Sequence, residues 1–198
     1  PDFALIVSRL TDPEGKPFPD QHISLFDPLT SLPTRNYLDS FLDGAIERTR
    51  QSGKMLGILI FNINRFKIIN ESLGHDAGDA LLKLFSKRLI HGIDERDTVV
   101  RLGGDEFVVI LEKIDKASDI VTIATRLLKM VSEPSQLSGH DISIAVSIGG
   151  SIYPRDSTDA NTLLKYAGVA LTEARKRRSS VARFYNPDMI VTPKQRLM

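Results

Sequence analysis

Two neighbouring carboxylates, Asp105 and Glu106, follow a glycine pair inside Arg101-Leu102-Gly103-Gly104-Asp105-Glu106-Phe107. The apolar pair Val99-Val100 precedes this stretch, and the apolar run Phe107-Val108-Val109-Ile110-Leu111 follows it. That pattern reads as two strands joined by a glycine turn. Gly103 and Gly104 supply the positive φ angles that other residues adopt only at a steric cost. Adjacent residues leaving such a turn point to opposite faces, so one acid can meet a ligand while its neighbour meets the backbone or a second ligand. Acids at a hairpin tip also serve plain solvation, and the pair alone does not decide between the two roles.

A second polar group sits at the end of an apolar run. Residues 55–61, Met-Leu-Gly-Ile-Leu-Ile-Phe, are apolar at nearly every position, as in a central strand covered on both faces, and the run closes in Asn62-Ile63-Asn64. The elements that position these two tips follow from periodicity. Tyr37, Leu38, Phe41, Leu42, Ala45 and Ile46 recur at helical spacing after the candidate N-cap Thr34, and Gly53 ends that helix. Beyond residue 64, residues 68–79 read as a turn-bearing connection. A second amphipathic helix then carries Leu81, Leu82, Leu84, Phe85, Leu89 and Ile90, and a third uses Ile120, Ile123, Ala124, Leu127, Leu128 and Val131. Residues 142–148 alternate strictly between Ile142, Ile144, Val146, Ile148 and the small Ser143, Ala145, Ser147, as one strand would. A fourth helix spans residues 159–175, and residues 183–185 read as a last short strand. The order strand, helix, hairpin, helix, strand is a βαββαβ, ferredoxin-like α+β arrangement: a mixed, mainly antiparallel sheet with helices packed around it. In that topology the ends of residues 55–61 and the hairpin tip lie on neighbouring strands. Nucleotidyl-transfer folds place there the carboxylates that hold Mg²⁺ against a triphosphate, because this cation prefers hard anionic oxygens shared with substrate phosphates.

Composition narrows the partners. The chain has 198 residues, 41% hydrophobic and 26% charged, which is the balance of a globular protein with a sizeable core. A formal net charge of +1 gives no whole-molecule attraction to nucleic acid or an anionic membrane, so any anion site is local. The absence of cysteine removes disulfides and thiolate metal sites and fits a reducing compartment. No apolar run here is long enough to span a bilayer, and a cytoplasmic location is expected. The basic run Arg175-Lys176-Arg177-Arg178 lacks interleaved aromatics and reads as a solvated helix end, not a nucleic-acid patch. His75 and His140 are too isolated for a transition-metal site.

With the intact Arg-Leu-Gly-Gly-Asp-Glu-Phe signature, the segments Arg65-Phe66-Lys67-Ile68-Ile69-Asn70 and Leu73-Gly74-His75-Asp76-Ala77-Gly78-Asp79, and Ser147-Ile148-Gly149, the chain resembles the GGDEF domains of the diguanylate cyclase family. The resemblance covers about four-fifths of the chain. It implies a nucleotidyl-cyclase palm in which two GTP molecules condense to cyclic di-GMP across a homodimer of half-sites. By the same resemblance, Asn70 and Asp79 read the guanine edge, while Arg65 and Phe66 through their backbone, Lys67 and Arg175 through their side chains, and the Gly103-Gly104 turn meet the substrate. Asp105 and Glu106 serve the metal and the 3′-hydroxyl, and the metal set is completed by Asn62 and the backbone of Ile63. The implied domain boundaries are 1–27 for the tail of an upstream sensor, PAS-like with residues 3–7 as its last strand, and its linker; 28–186 for the GGDEF domain; and 187–198 for a linker toward an EAL-type phosphodiesterase domain.

The departures from the family pattern carry chemistry. Asn62 and Asn64 stand where the family has an Asp-x-Asp pair, so Mg²⁺ is expected to be weakly bound or absent. An amide oxygen can ligate a cation but brings no charge. Ser179 takes the place of a phosphate-binding arginine, Gly168 that of an aspartate and Thr172 that of a tyrosine. Asp94-Glu95-Arg96-Asp97 has an acid where the family's product-binding arginine belongs, so feedback by product at that position is not expected. Three functions stay open at this level: a degenerate module that binds GTP and regulates a neighbouring phosphodiesterase, a working cyclase, and a dimerising or docking element.

Overall fold

The computed structural model describes residues 25–190 apart from 138 and 178; the expected strand at residues 3–7 and the end of the chain from 191 lie outside the described residues. Helix α1 (Arg35–Ser52) leads into strand β1 (Met55–Ile63). Helices α2 (Phe66–Leu73) and α3 (His75–His91) follow, then the hairpin β2 (Thr98–Gly103) and β3 (Glu106–Ile114). After α4 (Ala117–Val131) come the short strands β4 (Ser135–Leu137) and β5 (His140–Ile142), then β6 (Val146–Tyr153), α5 (Ala160–Arg175) and β7 (Val181–Phe184).

The main sheet has the order β2-β3-β1-β6-β7, antiparallel except for the β6–β7 pair, so it is mixed as its sequence implies. Strand β1 is central, and every residue after Met55 is buried. Its period-2 pattern splits the core in two. Leu59, Phe61 and Ile63 join Phe107, Val109 and Leu111 of β3 under α3 and α4, while Leu56, Ile58 and Ile60 join Val108 and Ile110 under α1 and α5. On the first face Phe85 of α3 packs against Phe61 and Phe107, with ring centroids 6.3 and 5.0 Å away. The last residue of the Gly-Gly-Asp-Glu-Phe run is therefore a core anchor, worth about 3–5 kcal/mol against truncation to alanine.

Three expectations need correction. Residues 68–79 are not a mere connection, because α2 occupies residues 66–73 and α3 already begins at His75, the two meeting at Gly74 (φ 88°). Helix α2 is only eight residues long and has no fully buried residue, so its apolar face shows over barely two turns of sequence. Residues 142–148 are not one strand. Strand β5 pairs with β4 in a separate two-stranded sheet, and β6 starts at Val146 beside β1, although Ile142, Ile144, Val146 and Ile148 are all buried across the break. Strand β6 then runs on through Gly149 and Gly150 to Tyr153. Glycine is needed at 149 because a Cβ would lie 2.2 Å from both the Ala167 carbonyl oxygen and the Leu171 backbone nitrogen of α5. The last strand spans Val181–Phe184, a residue-pair earlier than its aromatic residues suggest, and pairs in parallel with β6.

Candidate nucleotide site

The end of β1 and the β2–β3 turn meet. Asn62 lies opposite Glu106 of β3 on one side and Ser147 of β6 on the other. The Asn62 Nδ2 donates to Asp105 Oδ2 at 2.9 Å, and the Ile63 N–H donates to the Asp105 carbonyl at 3.3 Å. Asn62 is buried, whereas Asp105 and Glu106 are half-buried at the turn. Gly103 (φ 135°) and Gly104 (φ 54°) take the positive φ angles expected of them, and a side chain there would be strained even though the space is open.

Asn64, just beyond β1, is held by two contacts. Its N–H donates to the Ala145 carbonyl at 2.9 Å, and its Oδ1 accepts from the buried Ser147 Oγ at 2.8 Å. Arg65 then caps α2 with φ 60°, a conformation most residues avoid. Lys67 is almost fully exposed and lies 3.6 Å from Glu71, a surface pair worth little. At the other end of α2 the Asn70 side chain turns toward α3, and a Cβ on Gly78 would sit 1.8 Å from Asn70 Oδ1. That oxygen is buried and has no hydrogen-bond partner, which costs free energy unless something donates to it. Asp79 is exposed on the next position of α3.

Helix α5 lies along β6, with the Leu163 carbonyl accepting from Ser151 Oγ and Ala167 to Leu171 crossing Gly149. Its C-terminal turn with Arg175 therefore reaches the same end of the sheet as Asn62, Glu106 and Ser147. No hydrogen bond or ion pair joins Arg175 to the acids among the described residues.

The sequence reading overlooked the staple behind the turn. Arg101 Nη1 donates to Asp27 Oδ2 and Nη2 to the Gly104 carbonyl, both at 2.8 Å, while the Arg101 N–H donates to the Pro33 carbonyl. The same Asp27 oxygen accepts from the Thr30 N–H at 2.7 Å and Oγ1 at 2.6 Å. Burial works to raise the Asp27 carboxyl, but the hydrogen bonds from Thr30 and Arg101 outweigh it and hold the group below its ordinary range. Locally only the bonds from Thr30, three residues on, can be traced to Asp27; nothing in that short stretch points to Arg101. Asp97, the last residue of the Asp94-Glu95-Arg96-Asp97 stretch, also has a structural role. Its Oδ1 accepts from the Glu112 N–H at 3.0 Å and its Oδ2 from the Asp94 N–H at 3.1 Å. Burial pushes this carboxyl up to about 6 against those two hydrogen bonds.

The donor set is a poor fit to a divalent cation. Among the described residues, no group of three or more His, Asp or Glu side chains is placed to hold a metal ion. The Asn62 amide faces Asp105 with its nitrogen, which repels a cation, and the acids left are Asp105 and Glu106. A carboxylate about 4 Å from a divalent ion contributes roughly 8 kcal/mol at an effective dielectric of about 20, and position 62 supplies none of it.

A mixed five-stranded sheet sandwiched by helices, with a Gly-Gly-Asp-Glu-Phe turn beside the end of its central strand, defines a cyclase-type palm domain. The family model described as the diguanylate cyclase GGDEF domain matches residues 24–180, and the chain belongs to this family, the GGDEF domains of cyclic di-GMP signalling. It is 34% identical over 175 residues to the bifunctional diguanylate cyclase/cyclic di-GMP phosphodiesterase MucR of Pseudomonas aeruginosa, covering 88% of this chain and 25% of that protein. The cyclic di-GMP phosphodiesterase NbdA of the same organism is 33% identical over 177 residues, covering 89% of this chain and 22% of NbdA. The chain thus spans about a quarter or less of the length of these relatives. The solved GGDEF domain of P. aeruginosa TpbB superposes with a TM-score of 0.79 at 34% identity, covering 83% of this chain and 96% of that one. Among the described residues no helix is long and apolar enough to cross a membrane.

Proposed function

We propose that this domain binds a guanine nucleotide and regulates a covalently linked EAL-type phosphodiesterase, with weak or no cyclase activity of its own. The observation that carries the reading is the Asn62 amide donating to Asp105. In the cyclase reaction, charge develops on phosphate oxygens as a 3′-hydroxyl attacks, and stabilising it takes fixed positive charge. Here an uncharged donor occupies the position from which a carboxylate would hold that charge. The guanine side of the site is better kept: Asn70 Oδ1 is a buried acceptor without a donor, which a purine N–H would satisfy. The likeness to MucR and NbdA, whose names include a phosphodiesterase activity, supports a linked phosphodiesterase domain.

An active cyclase, working as a homodimer with GTP and Mg²⁺, is the second reading. It is favoured by the unbroken Gly103-Gly104-Asp105-Glu106 turn and its retained φ angles. The two separate on one assay. Dimeric protein incubated with GTP and Mg²⁺ is expected to form cyclic di-GMP barely above a no-protein control. Sustained turnover would overturn the regulatory reading in favour of the cyclase.

A further inference from the structure

We propose that this site holds its nucleotide without a divalent cation, an inference that rests on the guanine-nucleotide reading above. Both polar side chains at the end of β1 are neutral amides, and neighbours fix how each is turned. Asn62 commits its Nδ2 to Asp105 Oδ2 at 2.9 Å, so the acid at the hairpin tip already has a donor and the two tips are joined without an ion. Ser147, fully buried on β6, donates its Oγ to Asn64 Oδ1 at 2.8 Å. The open end of the Asn64 amide is therefore its Nδ2, which makes no hydrogen bond among the described residues. A cation site needs oxygens at the end of this strand. Here the strand end offers the uncharged Asn62 Oδ1 and, at Asn64, an N–H group where an oxygen is needed.

N–H groups suit the phosphate oxygens themselves. Asn64 leads directly through Arg65 into α2, whose first backbone N–H groups have no intrahelical carbonyl to bind. Amide, helix start and the neighbouring Lys67 together form a run of donors within four consecutive residues. The buried Asn70 Oδ1 at the other end of α2 accepts from a base edge, an interaction in which no metal takes part. The ligand class is thus a guanine nucleotide with its phosphates free of metal, bound through direct hydrogen bonds.

Isothermal calorimetry with GTP tests this on the full 198-residue chain, once in excess chelator and once in excess Mg²⁺, for wild type, Asn62→Asp and Asn64→Asp. The expected result is wild-type affinity in chelator equal to or tighter than in Mg²⁺. Both variants should bind at least about tenfold more weakly in chelator. Asn62→Asp should recover affinity on adding Mg²⁺, which also shows that this variant is folded. A wild-type affinity that falls tenfold or more on chelation overturns the proposal while leaving the nucleotide reading intact. Heat from GTP in neither condition overturns the nucleotide reading itself, and this proposal with it.

Discussion

Arg101 and Asp27, 74 residues apart in sequence, meet at 2.8 Å, and the guanidinium that holds Asp27 also holds the carbonyl of Gly104. Both side chains are largely buried, at 9% and 18% exposure, so neither is readily replaced by water. The loop ahead of α1 is thereby tied to the turn that presents Asp105 and Glu106.

Asp27→Ala should destabilise the domain by about 1–3 kcal/mol near neutral pH, because it leaves buried donors of Arg101 and Thr30 without an acceptor. The pH dependence has a definite sign. The folded carboxyl sits below its ordinary value near 3.8, so its contribution is present above that value and is lost as pH falls through the lower folded one. Urea midpoints of wild type and variant should therefore differ at pH 7 and converge under acid conditions. A constant gap would refute the account of Asp27.

Asp97 runs the other way. Its folded carboxyl is raised to about 6, so between roughly pH 4 and 6 the folded chain holds more of this proton than the unfolded chain does. Stability from this group is therefore highest below that window and declines as pH rises through it. Denaturant midpoints for wild type and Asp97→Asn across the window should show wild type losing ground to the variant with rising pH, whatever the offset between them. Parallel curves would rule out this titration.

Gly78→Ala sets two effects against each other. Alanine favours an exposed helix by about 1 kcal/mol over glycine, but here its Cβ would fall 1.8 Å from Asn70 Oδ1. A terminal amide can swing away at small cost, so the melting temperature should move little. The guanine-edge acceptor would be displaced, and GTP affinity should fall about tenfold or more. A variant that binds GTP as wild type does would dissociate Asn70 from nucleotide binding.

Much of this was legible in sequence because its signals are local. The unbroken apolar run through residues 55–61 is enough to place β1 at the centre of the sheet, and the glycine pair to place the turn. The break between β5 and β6 was hidden because Ile142, Ile144, Val146 and Ile148 are all buried while the backbone passes from one sheet to another. The extension of β6 was hidden because Gly149 and Gly150 resemble a turn, whereas glycine at 149 answers to the backbone of α5. Asp27 shows the third kind of limit: its partner is fixed by tertiary packing, and no local pattern joins it to Arg101. At the site the types of Asn62 and Asn64 are plain in sequence, but which end of each amide faces its neighbour is set by tertiary partners, Asp105 and Ser147.

The central claim is that the Asn62 amide has taken the place of a cation as the partner of Asp105, and thermal melting with and without Mg²⁺, in the absence of nucleotide, tests it most directly. Asn62→Asp puts two carboxylates side by side, which repel unless an ion lies between them. Wild type is predicted to melt at the same temperature in chelator and in Mg²⁺, and Asn62→Asp to melt lower in chelator and regain several degrees when Mg²⁺ is added. A wild-type domain that gains as much from Mg²⁺ as the variant does would contradict the claim.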